Sequence, residues 1–109
     1  MALYPSSNFT GSLIPTPSTN PVVASATIGT SSSQILAANA TRQSFSVYNN
    51  SNRTIALGFV TGVTLTANYF TLIPANALYE WSQEAIPTGA IFAIASGANA
   101  AVQISELNP

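Results

Sequence analysis

The sequence contains no cysteine, histidine, lysine or aspartate. Without Cys or His the strongest ligands for zinc, iron–sulfur clusters and haem are missing, so no metal site and no cofactor is expected. Without Cys there is no disulfide framework and no thiol chemistry, which leaves the redox compartment open. Without His the commonest general base is gone, together with any Ser-His-Asp or Cys-His pair. Charge is almost absent: five residues in the whole chain, Arg42, Arg53, Glu80, Glu84 and Glu106, where a soluble domain carries roughly 25%. Two arginines and a net charge of -1 cannot neutralise a row of phosphates, so nucleic acid is not an expected partner. No uninterrupted apolar run approaches the roughly 20 residues of a membrane helix, and no membrane association is expected. Met1-Ala2-Leu3-Tyr4-Pro5 has neither a basic n-region nor a continuous apolar h-region, so no signal peptide is expected and synthesis in the cytoplasm is.

What is present is apolar and neutral-polar. Of 109 residues, 47% are hydrophobic, and Ser, Thr and Asn together fill 36 positions. That is enough apolar material for one core, and the length allows one domain. Disorder calls for low hydrophobicity with high net charge, the opposite balance. A near-zero net charge removes self-repulsion and favours association. Four N-glycosylation sequons, at Asn8, Asn39, Asn49 and Asn52, are what chance supplies in so Asn-, Ser- and Thr-rich a chain.

Four of the seven prolines, Pro5, Pro15, Pro17 and Pro21, fall near the N-terminus among Ser, Thr and Asn. Each fixes its own φ and pushes its predecessor out of the helical region, so Ile14-Pro15-Thr16-Pro17 should run extended. Tyr4, Phe9, Leu13, Ile14, Val22 and Val23 punctuate this stretch as spaced apolar anchors that a plain linker would not need. Residues 1–24 are therefore expected to form an extended arm that docks on a neighbouring subunit or partner, and residues 25–109 a folded domain.

The domain reads as strands. In Ser44–Tyr48, Phe45 and Val47 share one face; in Thr54–Phe59, Ile55, Leu57 and Phe59 do, and this period of two marks half-buried strands. The Asn49-Asn50-Ser51-Asn52 turn between them predicts a hairpin. Tyr69–Ile73, ended by Pro74, and Ala77–Trp81 follow as further strands. Ala90–Ala95 and Ala100–Ser105 flank Ser96-Gly97-Ala98-Asn99, a second hairpin signal. Only Ser82–Ile86 could form a helical turn. Short strands with turns about every ten residues predict an all-β fold, a small antiparallel β-sandwich or jelly-roll-like domain with an extended N-terminal arm. The 17 alanines, poor strand formers, read as small filler beside Phe and Ile.

With so few charges, Arg42 or Arg53 paired with a glutamate (Glu80, Glu84 or Glu106) is expected to act as a structural pin that sets register. Glu80 and Glu84 flank Trp81, which raises a glycosidase carboxylate pair about 5–10 Å apart. A chain with no other polar catalytic group offers it little pocket wall, so no catalytic residue and no enzymatic activity is expected. Tyr79 with Trp81 could form an aromatic binding platform, but packing in a core or a subunit interface accounts for them better.

Gln34–Asn39, Arg42, Phe45, Asn49-Asn50-Ser51 and Ile55–Phe59, continued by Leu72–Asn76, Tyr79-Glu80-Trp81 and Gly89–Gly97, resemble a small β-sandwich domain of tailed-bacteriophage virion proteins. Within that group a short chain with an extended arm is most similar to the capsid cement, or decoration, proteins. The resemblance implies a homotrimer on the outer surface of the virion head, clamping neighbouring copies of the major capsid protein. The rival expectation is a host-glycan or receptor-binding module of a head fibre or tail component. A third is an oligomerising accessory domain with no capsid role.

Overall fold

The computed structural model describes residues 17–82 and 84–109. The arm anchors Tyr4, Phe9, Leu13 and Ile14 lie outside the described residues. Eight strands follow in chain order: β1 (Val22–Ile28), β2 (Ser33–Leu36), β3 (Ser44–Asn49), β4 (Ile55–Gly58), β5 (Thr71–Ile73), β6 (Leu78–Trp81), β7 (Ile91–Ala95) and β8 (Ala100–Leu107). In β3 the alternation that predicts a strand is the alternation that is buried, whereas β4, also read as half-buried, is buried at all four positions and leaves Phe59 outside the strand. Phe45, Val47 and Asn49 of β3 point into the core and Ser44, Ser46 and Tyr48 away from it. In β7, Ile91, Ala93 and Ala95 are buried, with Phe92 and Ile94 on the other face.

The pairing is nested. β1 pairs with β8, β2 with β7, β3 with β6 and β4 with β5, every pair antiparallel. The chain is thus one long ribbon whose tip is the β4–β5 connection. The ribbon rolls up as β3 pairs with β8 and β4 with β7. Two four-stranded sheets result, in the orders β1-β8-β3-β6 and β2-β7-β4-β5. The architecture is an all-β sandwich, and its strand order is that of a jelly roll. Ile28, Phe45, Val47, Val102 and Ile104 from one sheet meet Ile55, Leu57, Ile73 and Ile91 from the other, with Ala93, Ala95 and Ala100 as small spacers.

Three expectations need correction. The strands at Phe45–Tyr48 and Ile55–Phe59 exist, but they do not form a hairpin: β3 and β4 belong to different sheets. The same holds for β7 and β8, whose connection also crosses between sheets. Alternating apolar faces are satisfied equally by strands side by side and by strands opposed across a core, and here they are opposed. Asn49 fixes the first crossing. Its fully buried amide donates to the carbonyls of Arg53 (2.6 Å), Ile73 (3.0 Å) and Pro74 (3.1 Å), and its Oδ1 accepts from Ser51 Oγ (2.6 Å). The second crossing is held to its neighbours by Ser96 N–H to Thr54 O (2.9 Å) and Thr54 N–H to Ser96 Oγ (2.9 Å).

The arm boundary also shifts. β1 begins at Val22, so Val22, Val23 and Ala24 open the first strand of the domain, as two β-branched residues beside a ready ladder would. At Ser82–Ile86 the chain makes a turn at Glu84 and Ala85, with Ala85 in the left-handed region (φ 52°), and no helix occurs among the described residues.

Candidate interaction surfaces

Register places four inward-facing residues in one row across the end of the first sheet: Val22 on β1, Glu106 on β8, Phe45 on β3 and Trp81 on β6. Strands lie about 4.8 Å apart, so the row is about 14 Å wide. Its middle is held by Arg42, 3% exposed. Arg42 Nε donates to Glu106 Oε2 at 2.7 Å, Nη1 to the carbonyls of Pro87 (2.6 Å) and Gly89 (3.1 Å), and Nη2 to Ala37 O (2.7 Å). The guanidinium also lies 5.7 Å from the centre of the Phe45 ring. One planar fork therefore ties β8 to the β2–β3 and β6–β7 connections, which a single point charge would not span.

The β6 side of the row is closed by aromatics. Trp81 and Tyr79 face inward and pack on Phe45, with ring centres 6.0 and 6.3 Å away. Phe59 and Phe70, from the β4–β5 connection, stack at 4.3 Å and meet Trp81 edge-on at 6.2 and 5.6 Å. The Trp81 indole N–H donates to Glu84 O (3.3 Å), and burial pushes the Tyr79 phenol above its ordinary pKa. Phe59 is 45% exposed and Val60 52%, so the cluster reaches the surface at its rim.

The β1 side is open. Ala26 and Ile28 turn into the core, yet Val22 and Ala24, on the same face, are exposed, Val22 by 51%. Val23, on the outer face, is 70% exposed. Just beyond this row residues 18–20 are clasped to the C-terminal residues. Asn108 O accepts from Ser18 Oγ (2.6 Å), Thr19 N (3.1 Å) and Asn20 N (3.2 Å), and the Asn108 side chain accepts from Asn39 Nδ2 at 2.7 Å. Asn20 Nδ2 also donates to Pro109 O.

Arg42 and Glu106 are thus brought together, and theirs is the only ion pair among the described residues. Arg53 is exposed and lies over Gly97. Glu80, opposite Ser46, faces outward with Leu78, on the other side of β6 from Trp81, and Glu84 is exposed in the turn. The two carboxylates therefore do not bracket the tryptophan face. Asn49, Asn108 and Asn39 were invisible as fasteners in so Asn-rich a sequence. Their turn and terminal positions were the available signal.

The two outer faces differ. On the first sheet Ser25 bonds Gln103 (2.8 Å) and Ser46 bonds Ser105 (2.5 Å). On the second, Phe92, Ile94 and Leu72 line the exterior, with Leu72 40% exposed.

The class this geometry defines is a charge-poor jelly-roll sandwich. No protein-family profile matches the sequence, and no curated protein does. Among solved structures, the chain is similar to a Bacillus endospore appendage protein, described as belonging to a novel family of disulfide-linked pili. The likeness has 9% identity and a TM-score of 0.50, covering 82% of this chain and 85% of that one. At that identity it speaks to the fold alone.

Proposed function

We propose that this chain is a non-enzymatic structural protein that works by packing against other protein chains, as a cement protein on the outer surface of a tailed-phage head. It would act there as a homotrimer, with the residues before β1, 1–21, gripping the major capsid protein or a neighbouring copy. The observation that carries the reading is where the polar chemistry is spent. Arg42, Glu106, Asn49 and Asn108 are internal fasteners, while Val22, Val23, Phe59, Val60, Leu72 and Leu78 remain on the surface. Recognition then rests on shape and apolar burial, and attachment is insensitive to salt. Three linked copies bind by avidity, so each contact need only be weak.

The test is removal of residues 1–16, which leaves the Ser18–Asn20 clasp in place. The truncated protein should keep its thermal midpoint and lose particle binding. Binding at full strength would sink the proposal. The glycan-binding alternative draws on Tyr79 and Trp81, whose packing against Phe45, Phe59 and Phe70 supports a structural role instead. Trp81→Ala on a glycan array separates the two, because a cement protein has no glycan signal to lose.

A second reading is a filament subunit, prompted by the likeness to a pilus protein. A polymer of this chain would have to hold without disulfides, since it contains no cysteine. Electron microscopy of the purified protein at high concentration separates the readings: filaments without any capsid favour this one.

A further inference from the structure

Sheet edges offer unpaired N–H and C=O groups to any passing strand, and folded proteins blunt them with shortness, bulges, prolines or charge. Three of the four edges here are blunted. β5 has three residues and runs into Pro74, β6 has four, and β2 has four with a register shift between Gln34 and Leu36. β1 is the exception. Its seven residues, Val-Val-Ala-Ser-Ala-Thr-Ile, contain no proline, glycine or charge, and among the described residues β8 is its only strand partner. It is also the side on which the inward-facing row ends in exposed Val22 and Ala24.

The sequence holds a segment that suits this edge. Between Pro5 and Pro15, residues 6–14 read Ser-Ser-Asn-Phe-Thr-Gly-Ser-Leu-Ile, nine residues without proline or charge. In an extended conformation Phe9, Gly11 and Leu13 share one face, presenting two large apolar groups where β1 leaves its inward face uncovered. The chain enters β1 in line with the strand, because Thr19 and Asn20 continue the contact with Asn108 beyond the Val22–Glu106 pair. To pair with its own β1, residues 6–14 would have to reverse within a stretch holding Pro15, Pro17 and Pro21, which favours extended backbone. Sixteen residues span up to about 55 Å, enough to reach an adjacent subunit.

We propose that the outer edge of β1 accepts residues 6–14 of a second copy of this chain by strand addition. The contact joins different surfaces of the two copies, so it propagates head to tail and closes into a ring when the rotation allows. It rests on the reading of the residues before β1 as an assembly arm and names what that arm grips.

The absence of native cysteine makes the test clean. Full-length Ala24→Cys protein is mixed with full-length chains carrying one cysteine at Phe9, Thr10, Gly11, Ser12 or Leu13, and oxidised. Crosslinked heterodimers should form with a period-two yield, high at Phe9, Gly11 and Leu13 and low at Thr10 and Ser12. Equal yield along the series overturns strand addition. A chain carrying both Ala24→Cys and Leu13→Cys should give intermolecular products that rise with concentration, and a concentration-independent intrachain link overturns the second-copy assignment. In sedimentation velocity, Ala24→Lys, which puts a charge on the exposed edge, should weaken association on the order of tenfold without unfolding the protein. If deletion of residues 1–16 abolishes association while Ala24→Lys leaves it unchanged, the arm stands and the β1 edge falls. If the deletion changes nothing, the arm reading itself fails.

Discussion

Removing the Arg42 side chain should be among the most damaging single changes to this fold. The guanidinium is fully buried and Glu106 is 14% exposed at its side chain, so solvent cannot take over their contacts without opening the end of the sandwich. Arg42→Ala deletes four donated hydrogen bonds and strands one carboxylate and three carbonyls. Removing one partner of a buried pair costs about 3–5 kcal/mol. At roughly 4–8 °C per kcal/mol for a domain near this size, the midpoint should fall by about 12 °C or more. Arg42→Lys retains a charge for Glu106 but cannot serve Ala37, Pro87 and Gly89 together, so it should recover only part of the loss. Glu106→Gln keeps an acceptor for Nε and should cost less, about 1–3 kcal/mol. Urea denaturation of all three variants with a shared m-value is the assay. The sharpest check is Arg42→Met with Glu106→Leu. If the ion pair alone carried the energy, this apolar pair would restore stability; with three of four bonds going to carbonyls, it should not. Full recovery, or an Arg42→Ala penalty under about 1 kcal/mol, would refute the reasoning.

Four further outcomes follow from the packing. Asn49→Ala should cost about 2–4 kcal/mol in the same denaturation assay, because it frees the crossing from β3 to β4 and leaves the carbonyls of Arg53, Ile73 and Pro74 without its amide. Gly58→Ala should cost about 1–3 kcal/mol, since a Cβ there would meet the Asn68 carbonyl and the Val63 side chain at 2.7 Å. Gly97→Ala should be milder, because the atoms it meets belong to the exposed, movable Arg53 side chain. Burial raises the Tyr79 pKa, so the fold favours the neutral phenol. Its contribution is fully present below the ordinary value of 10.0 and is lost as pH climbs through the raised native value. Spectrophotometric titration and alkaline denaturation of Tyr79→Phe should show one late-titrating phenol removed and a shallower fall in stability above that pH.

The amino-acid sequence by itself determined that this chain is all-β, because period-two alternation at Phe45–Val47 and Ile55–Leu57, with short apolar runs such as Ile91–Ala95 bounded by turn residues, reads as strands at that length. It also marked the turns, because Asn- and Gly-rich clusters carry their own backbone preferences. It left open which strands become neighbours. A hairpin and a crossing between sheets use the same turn residues and bury the same faces, so Asn49–Asn52 and Ser96–Asn99 pointed to local pairs that the protein does not make. The nested order of β1 to β8 was decided by contacts far apart along the chain: the Asn49 amide on Ile73 and Pro74, and the ladder of β8 between β1 and β3. The charges divide the same way. Scarcity alone singled out five residues, but two arginines and three glutamates allow six pairings. Only the rolled ribbon, which sets Glu106 beside the buried Arg42 and turns Glu80 to the opposite face of β6, selects one. Local alternation is a property of neighbours in sequence, whereas partner choice depends on which distant segments share a core, and that is settled only when the core forms.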